Sequence, residues 1–419
     1  MSSGGMAVTG SQLWIGGLAA RDLAEQFGTP LYVYDAAVVR RQYRALRRYL
    51  PQFEIFYSLK ANASLAVAKL LAAEGAGCEI ASGGELVLAQ AAGFPADKII
   101  FAGPGKTDDE LADALKAGIL CFNVESSGEL ERLDRIASGL GRKPLCAIRI
   151  NTRQTAQAQE QMVGGPSKFG WDQEQAASQL AALLPGLRSA QVAGIHVYTA
   201  SGVLDPKALL DNAQRTVALA RDLASELALP LRLVNFGGGF GVPYAADQKP
   251  LALDYLGQKL AALLARENFV GPRLFLELGR FLVAESGFFL TRVIDLKTSR
   301  GRNFAVTDGG MNQFLRPVFM ELNHPTMAAD KLAGDSARLY QLAGPCCTPI
   351  DFLARDVRLP ALEVGDLIAV GNAGAYGFSM SMLYFLGHPL PAEVLVDGGK
   401  AILARRRGES GDCLVNQLG

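Results

Sequence analysis

Short apolar runs alternate with longer amphipathic stretches between about residues 50 and 285. Eight of the runs are FEIFYSL (53–59), CEIAS (78–82), KIIFAG (98–103), ILCFNV (119–124), LCAIRIN (145–151), VAGIHVY (192–198), RLVNFGG (232–238) and RLFLELG (273–279). They are rich in Val, Ile and Phe and are bounded by Gly or polar residues, a pattern that predicts strands. The segments between them, such as SLAVAKLLAAEG and DELADALKAG, are Ala/Leu-rich with helical spacing. Strand then helix, repeated eight times, predicts an α/β fold closed into a (β/α)8 TIM barrel. A doubly wound parallel sheet is the competing arrangement of the same elements.

The texture changes after about residue 286. GFFLTRVIDLKTS, RNFAVTDGG, ARLYQLAG, DLIAVG and EVLVDGGKAILARR are short β-type runs separated by turn residues, mostly without a long helical pattern between them. They predict a separate C-terminal β-domain. The segment 11–40, with LYVYDAAVV, precedes the first barrel strand and can join either unit. The expected division is residues 36–285 for the barrel, with residues 1–35 and 286–419 forming a β-sandwich or β-barrel-like domain.

Composition narrows the function classes. The chain has 419 residues, of which 49% are hydrophobic and 20% charged, so it can bury a large core. Lys+Arg and Asp+Glu both number 41, so the basic excess of a nucleic-acid binder is missing. No apolar run reaches the length of a membrane span. The first ten residues have neither a basic start nor an apolar stretch, so no secretion signal is expected. The six cysteines (78, 121, 146, 346, 347 and 413) form no C-x-x-C pair, which suits a reducing cytoplasm. Three histidines, His196, His324 and His388, argue against a histidine-rich metal site.

Barrel enzymes carry their chemistry at the C-terminal ends of the strands, and that rule selects residues. Lys60 ends the first strand in FYSLKAN, where its surroundings can lower its pKa and make it a Schiff-base nucleophile. It can equally be a surface lysine. NFGGGFGVPY follows the seventh strand, and Gly237, Gly238 and Gly239 would let backbone N–H groups approach a phosphate. A plain flexible turn is the alternative. Glu277 and Arg280, in FLELGR, end the eighth strand. The carboxylate could keep a pyridine nitrogen protonated and the arginine could bind phosphate, or the two could be an ion pair closing a turn. Cys346 and Cys347 lie in the loop GPCCTPIDFLARD, either as an acid or nucleophile or as small buried hydrophobes. GNAGAYGFSMSMLYFLGHP adds Tyr376 and Tyr384, which alone read as core aromatics near a turn.

The motifs YSLKAN, SGGEL, SKFG, GGGFG, E-x-GR, GP-x-C and GAYG-x-SM-S, in that order over about residues 28–400, make the chain resemble the fold-type III PLP-dependent decarboxylases. That group contains the diaminopimelate, ornithine and arginine decarboxylases, and the diaminopimelate branch is most similar. The resemblance implies pyridoxal 5'-phosphate as cofactor, held on Lys60. It implies a phosphate cradle of Gly237, Gly238, Gly239, Gly279 and Arg280, with Tyr376 and Ser201 reaching the phosphate. Glu277 would face the pyridine nitrogen, and Glu79 would sit near the lysine. Cys347, fourth in G-P-x-C, matches the family's cysteine. It would approach the cofactor from the partner subunit of a homodimer and return a proton to the substrate. Arg316, in LRPVF, resembles an arginine that binds a substrate carboxylate.

Departures from the family pattern bear on the substrate. Tyr198 stands where the family usually has a histidine stacked on the cofactor ring. A tyrosine can stack but cannot act as an imidazolium, and His196 is then a strand-buried residue or a substitute stacker. Thr348 stands where the diaminopimelate branch has a glutamate that recognises the distal ammonium, and a neutral hydroxyl cannot compensate a buried ammonium. Phe319 replaces a tyrosine after the Arg-Pro pair. The resemblance implies that Arg316, Cys347, Thr348 and Tyr376 line the substrate pocket.

The expected function is removal of the α-carboxylate from an L- or meso-configured amino acid. The departures point to a modified or acyl-carrier-protein-tethered amino acid of a siderophore- or antibiotic-type pathway. The alternatives are an ordinary diaminopimelate or basic amino-acid decarboxylase, an amino-acid racemase, and a catalytically silent regulator with the same fold.

Overall fold

The computed structural model describes residues 6–9, 11–153, 160–161, 165–332 and 338–418. Ala337, which opens ARLYQLAG, and residues 1–5 and 10 of the first ten lie outside them. Eight strands form a closed, all-parallel ring: β1 (Phe53–Ser58), β2 (Gly77–Ile80), β3 (Ile99–Phe101), β4 (Cys121–Val124), β5 (Leu145–Asn151), β6 (Gln191–His196), β7 (Leu233–Asn235) and β8 (Arg273–Leu278). Each pairs in parallel with the next, and β8 returns to β1 through Leu274↔Phe53 to Leu278↔Tyr57. The eight runs read from the sequence are these eight strands, and the ring closes instead of opening into a doubly wound sheet.

Local chemistry sets the helices that separate the strands. The helix Asp108–Ala117 starts on a capping box in which Thr107 accepts from the Glu110 N–H and Glu110 accepts from the Thr107 N–H. It stops at Gly118, in the left-handed conformation. Ser82 and Ser126 cap the helices Gly83–Ala92 and Ser127–Gly139 in the same way, by accepting from the N–H three residues on. Each of these helices turns a Leu/Ala face onto the ring. No helix of the described residues is long and apolar enough to cross a membrane.

Inside the ring, Phe56, Ile100, Cys121, Ala147, Leu233 and Phe275 form an apolar plug. The Phe56 and Phe275 ring centroids lie 4.7 Å apart. This plug fills the barrel, so the polar site above it is a floored cup and not a channel.

Nine further strands of the described residues form a separate β-rich sheet. β9 (Gly287–Ser299) is its spine. It pairs antiparallel with β10 (Arg302–Thr307) at one end, and with β14 (Leu367–Val370) and the strand Leu31–Asp35 at the other. β11 (Thr326–Ala328) pairs with β14, and β12 (Arg338–Ala343) and β13 (Phe352–Leu359) extend the β10 edge. β15 (Ala392–Asp397) and β16 (Lys400–Arg405) extend the Leu31–Asp35 edge. Leu31–Asp35 is buried at every position, as a central strand should be. The LYVYD run thus belongs to the β-rich sheet, and the helix Ala36–Tyr49 carries the chain from it into the barrel.

Candidate active site

The C-terminal ends of the barrel strands surround a cavity of about 600 Å³. Its walls include Lys60, Glu79, His196, Tyr198, Ser201, Glu277, Arg280, Arg316, Phe319 and Tyr376. Most residues singled out from the sequence therefore meet in one place.

Lys60 occupies a single 3-10 turn, Leu59–Ala61, directly after β1. Its Nζ donates to Glu79 Oε1 at 2.9 Å and lies 3.1 Å from Oε2. Burial opposes the ammonium charge, but Glu79, Tyr376, Tyr198 and Glu277 outweigh it and hold Lys60 above the ordinary lysine range. Without a bound carbonyl compound the amine is therefore protonated and parked on Glu79. The turn is clamped from the β-rich unit. Tyr376 N–H donates to Ala61 O at 2.7 Å, and Asn62 Nδ2 donates to Gly374 O at 2.9 Å. Tyr376 itself has φ 55. A non-glycine residue in that region is strained, and such strain concentrates at functional sites.

Glu277, near the end of β8, is 3% exposed. Its Oε1 accepts from Asn123 Nδ2 and from Asn235 Nδ2, each at 2.7 Å. Its Oε2 lies 3.2 Å from His196 Nε2. Burial alone would raise its pKa, but His196, Lys60 and the Asn235 amide hold the carboxylate below the ordinary range. Arg280, one residue past Gly279, takes different partners. Nη1 donates to Tyr244 Oη and Nη2 to Ser201 Oγ, both at 3.2 Å. Its guanidinium carbon lies 4.9 Å from the Tyr376 ring centroid. Glu277 and Arg280 are thus not an ion pair closing a turn.

The glycines of the β7 turn cannot be replaced without moving backbone. A Cβ on Gly238 would collide with Glu277 O, and one on Gly239 with Ala200 O. Gly237 (φ +63) would meet Val197 O at 2.6 Å. The Gly237 N–H is already given to Asn235 Oδ1 at 2.9 Å, so this glycine shapes the turn and its N–H is engaged within the protein. A Cβ on Gly279 would meet Ala61 Cβ at 2.7 Å, which packs the β8 end against the Lys60 turn.

Tyr198 and His196 separate cleanly. The Tyr198 ring centroid lies 5.9 Å from Lys60 Nζ, and burial pushes its phenol up to about 12. His196 sits instead beside the Glu277 carboxylate. The ring positioned over the lysine is the tyrosine. Arg316, 1% exposed, lies 5.1 Å from the Tyr244 ring centroid and 5.7 Å from that of Tyr376.

The cysteine loop stays outside. Neither Cys347 nor Thr348 lines the cavity within one chain, and Cys347 is exposed. Cys346 is buried, and burial together with Asp351 pushes its thiol up to about 12, so it is an inert thiol. Phe319 lines the mouth while 64% exposed.

Several wall and support residues escaped the sequence reading. Asn123, Asn235, Arg149, Phe169 and Tyr244 all contact the site or its partners. Asn123, Arg149 and Asn235 stand at or near the C-terminal ends of β4, β5 and β7, so the same strand-end rule applied to every polar residue would have found them.

The description "Pyridoxal-dependent decarboxylase, pyridoxal binding domain" belongs to the family whose sequence profile matches residues 36–284. The chain belongs to the pyridoxal-dependent decarboxylases. Among its relatives is the L-glutamyl-[BtrI acyl-carrier protein] decarboxylase of Niallia circulans, 38% identical over 94% of this chain and 95% of the relative. The diaminopimelate decarboxylase of Pseudomonas aeruginosa is 40% identical over 95% and 94%. The diaminopimelate decarboxylase structure from M. jannaschii in complex with L-lysine superposes with a TM-score of 0.91. It is 30% identical and covers 99% of this chain and 98% of that one. The protein is thus a PLP-dependent amino-acid decarboxylase with the family's barrel plus β-domain.

The residues present fit pyridoxal phosphate. One end of the cavity holds a buried anionic carboxylate whose Oε2 takes no asparagine amide, lies 3.2 Å from His196 Nε2, and suits a protonated ring nitrogen. The other holds a buried guanidinium, a serine hydroxyl and a turn too tight for any Cβ, the chemistry of a phosphate site. The Lys60 amine lines the same cavity.

Proposed function

We propose that this enzyme removes the α-carboxylate of an amino acid whose side chain ends without a free ammonium, with a side-chain acyl group tethered to a carrier protein as the favoured case. The observation carrying this reading is the state of the cavity's carboxylates. Glu79 is bonded to Lys60, and Glu277 to two amides. Glu110 is spent on the Gly83 and Thr107 N–H groups. Among the described lining residues Glu277 and Glu110 are engaged by amides and backbone N–H groups, Glu79 stands beside Lys60 at the cofactor end, and position 348, where the diaminopimelate branch carries a glutamate, is threonine. Identities of 38% and 40% to the two kinds of relative do not choose between them, and the pocket chemistry supports the carrier-tethered reading.

Decarboxylation next to an amine needs both the α-amino and the α-carboxylate group free. A carrier must therefore be joined through the substrate's side-chain carboxyl. That geometry suits a rim where exposed Phe319 and Pro104 stand with the cation Lys168 and, among the described lining residues, with no exposed carboxylate.

In this reading Lys60 holds the cofactor, and Glu79 holds the Lys60 ammonium until its proton is withdrawn. When bound, the cofactor's protonated ring supplies a sink for the electron pair left by departing CO2. Glu277 Oε2 keeps the ring nitrogen protonated. Arg280, Ser201, Tyr376 and the turn Gly238–Gly239 bind the phosphate, with Gly279 admitting the close approach. Tyr198 packs over the ring, and Arg316 binds a substrate carboxylate or carbonyl oxygen. Cys347, exposed in one chain, delivers a proton to the α-carbon from the partner subunit of a homodimer. Residues 36–285 form the catalytic barrel, and residues 1–35 with 286–419 form the domain that completes it. A cytoplasmic setting fits six reduced cysteines.

Thr348→Glu tests the selectivity step. It is expected to confer CO2 release from diaminopimelate on a protein that otherwise lacks it. No gain, in a variant that folds and binds cofactor, overturns the assignment of selectivity to this position.

A further inference from the structure

The end of β7 is occupied by a fully buried asparagine whose two amide atoms do different work. Asn235 Nδ2 donates to Glu277 Oε1 at 2.7 Å, and Asn235 Oδ1 accepts from the Gly237 N–H at 2.9 Å. One planar side chain thus spans from the acidic end of the cavity to the turn at its phosphate end. A second strap runs parallel to it, with Glu277 N–H donating to Gly237 O at 2.7 Å. From β4, across the ring from β8, Asn123 Nδ2 donates to the same Oε1 at 2.7 Å. Rotation of the Glu277 carboxyl would break two charge-assisted hydrogen bonds, each stronger than a neutral one.

The amide orientations are fixed by this chemistry. Only the NH2 side of an asparagine can face a carboxylate oxygen, and only its carbonyl can accept from a backbone N–H. Asn123 carries a cost, because its Oδ1 is buried with no hydrogen-bond partner. An unpaired buried acceptor is destabilising. An apolar residue of similar shape would serve a barrel core better, so the amide is retained for what its NH2 group holds.

We propose that Asn235, braced by Asn123, is a positioning residue that locks Glu277 to the glycine turn, so that Oε2 alone is presented to the cofactor's ring nitrogen at a set distance from the phosphate end. The two asparagines are not equivalent. Both hold Oε1, but only Asn235 also holds Gly237. The structure therefore separates two effects in two variants. The inference rests on Glu277 being the partner of the ring nitrogen.

The test uses the full-length protein with Asn123→Ala, Asn235→Ala and Glu277→Gln. In cofactor-stripped protein, the Glu277 carboxyl is titrated by 13C NMR, its signal identified by its loss in Glu277→Gln. His196 and Lys60, the titratable groups facing Glu277, are common to both asparagine variants. Each asparagine variant removes a donor to the anion, so each is expected to move the titration upward. Inorganic phosphate binding is measured on the same samples. Asn235→Ala is expected to weaken it about five- to tenfold, the scale of one lost hydrogen bond, and Asn123→Ala to leave it within about twofold. Equal effects on phosphate, or a Glu277 titration that does not move, overturn the proposal. If Asn235→Ala does not fold, Asn235→Gln, which keeps the amide but displaces it by one methylene, is expected to give the same split. Ring-15N-labelled pyridoxal phosphate on wild-type and Glu277→Gln protein tests the underlying assignment separately. An unchanged ring nitrogen shift there means that Glu277 is not its partner, whatever the asparagines do.

Discussion

Glu277 shows how much a single carboxylate depends on its neighbours. Buried at 3% exposure, it would ordinarily take up a proton. Two amide donors, the nearby imidazole and the Lys60 ammonium keep it anionic instead. An anion aimed at a pyridine nitrogen favours the protonated ring that decarboxylation needs. Glu277→Gln keeps the shape and removes the charge. It is expected to lower kcat by about a hundredfold or more, the scale of removing a preorganised electrostatic partner, with the melting temperature little changed. Steady-state kinetics beside thermal unfolding checks this, and an unaltered kcat contradicts the role given to Glu277. At this scale the sequence made strand-end residues visible. Lys60, Glu277 and Arg280 stand one to three residues from the ends of runs that alternate clearly. Asn123 and Asn235 stand at equivalent positions but lack the charge that draws attention, and their meaning comes from a partner 154 or 42 residues away. Cys347 is the opposite case, conspicuous in its motif yet outside the cavity of one chain.

Among the elements, the helix Gly83–Ala92 carries a titratable group close to the site. Glu85 lies in its first turn, where its N–H donates to Ser82 Oγ and its Oε2 accepts from the Ala81 N–H at 2.6 Å. Burial, then Glu79, push its carboxyl from 4.5 up to about 7, against the Ala81 bond and Lys60. The native state therefore binds the proton more tightly than the unfolded chain. Glu85 contributes stability at acid pH that is lost as pH rises through that interval. Glu85→Gln retains an acceptor for Ala81 N–H and cannot ionise. The variant's melting temperature is expected to exceed that of wild type by a margin that grows from pH 5 to pH 8. A margin independent of pH contradicts the raised pKa. The eight barrel strands were legible because apolar strand runs and Ala/Leu helices differ sharply in length and β-branching. The placement of Leu31–Asp35 was not. Leu31 and Val33 on one face and Tyr32 and Tyr34 on the other are all buried, and nothing local says which sheet the strand completes.

In the whole molecule, one chain brings Lys60, Glu277 and Arg280 into a single cavity that Cys347 does not line. The β-rich unit clamps the Lys60 turn through Tyr376 and Asn62. The same unit leaves Cys347 exposed. If that cysteine serves a neighbouring copy, Lys60→Ala and Cys347→Ala disable different halves of a shared site. Mixed in equal amounts and allowed to exchange, the two variants are expected to regain roughly a quarter of the wild-type sites, the share a twofold-symmetric dimer allows. No recovery above either variant alone contradicts the shared site. The paired motifs made the family legible at this scale, but substrate selection was legible only as departures, at Thr348 and Phe319, from the pattern the motifs resemble.

The most direct test of the central claim is CO2 release from carboxyl-labelled substrates by cofactor-loaded protein. Free diaminopimelate, lysine, ornithine, arginine and glutamate are compared with glutamate joined through its side-chain carboxyl to a carrier protein. Rapid release is expected from the tethered substrate and little from the free amino acids. Rapid release from free diaminopimelate, with none from the tethered substrate, would contradict the claim.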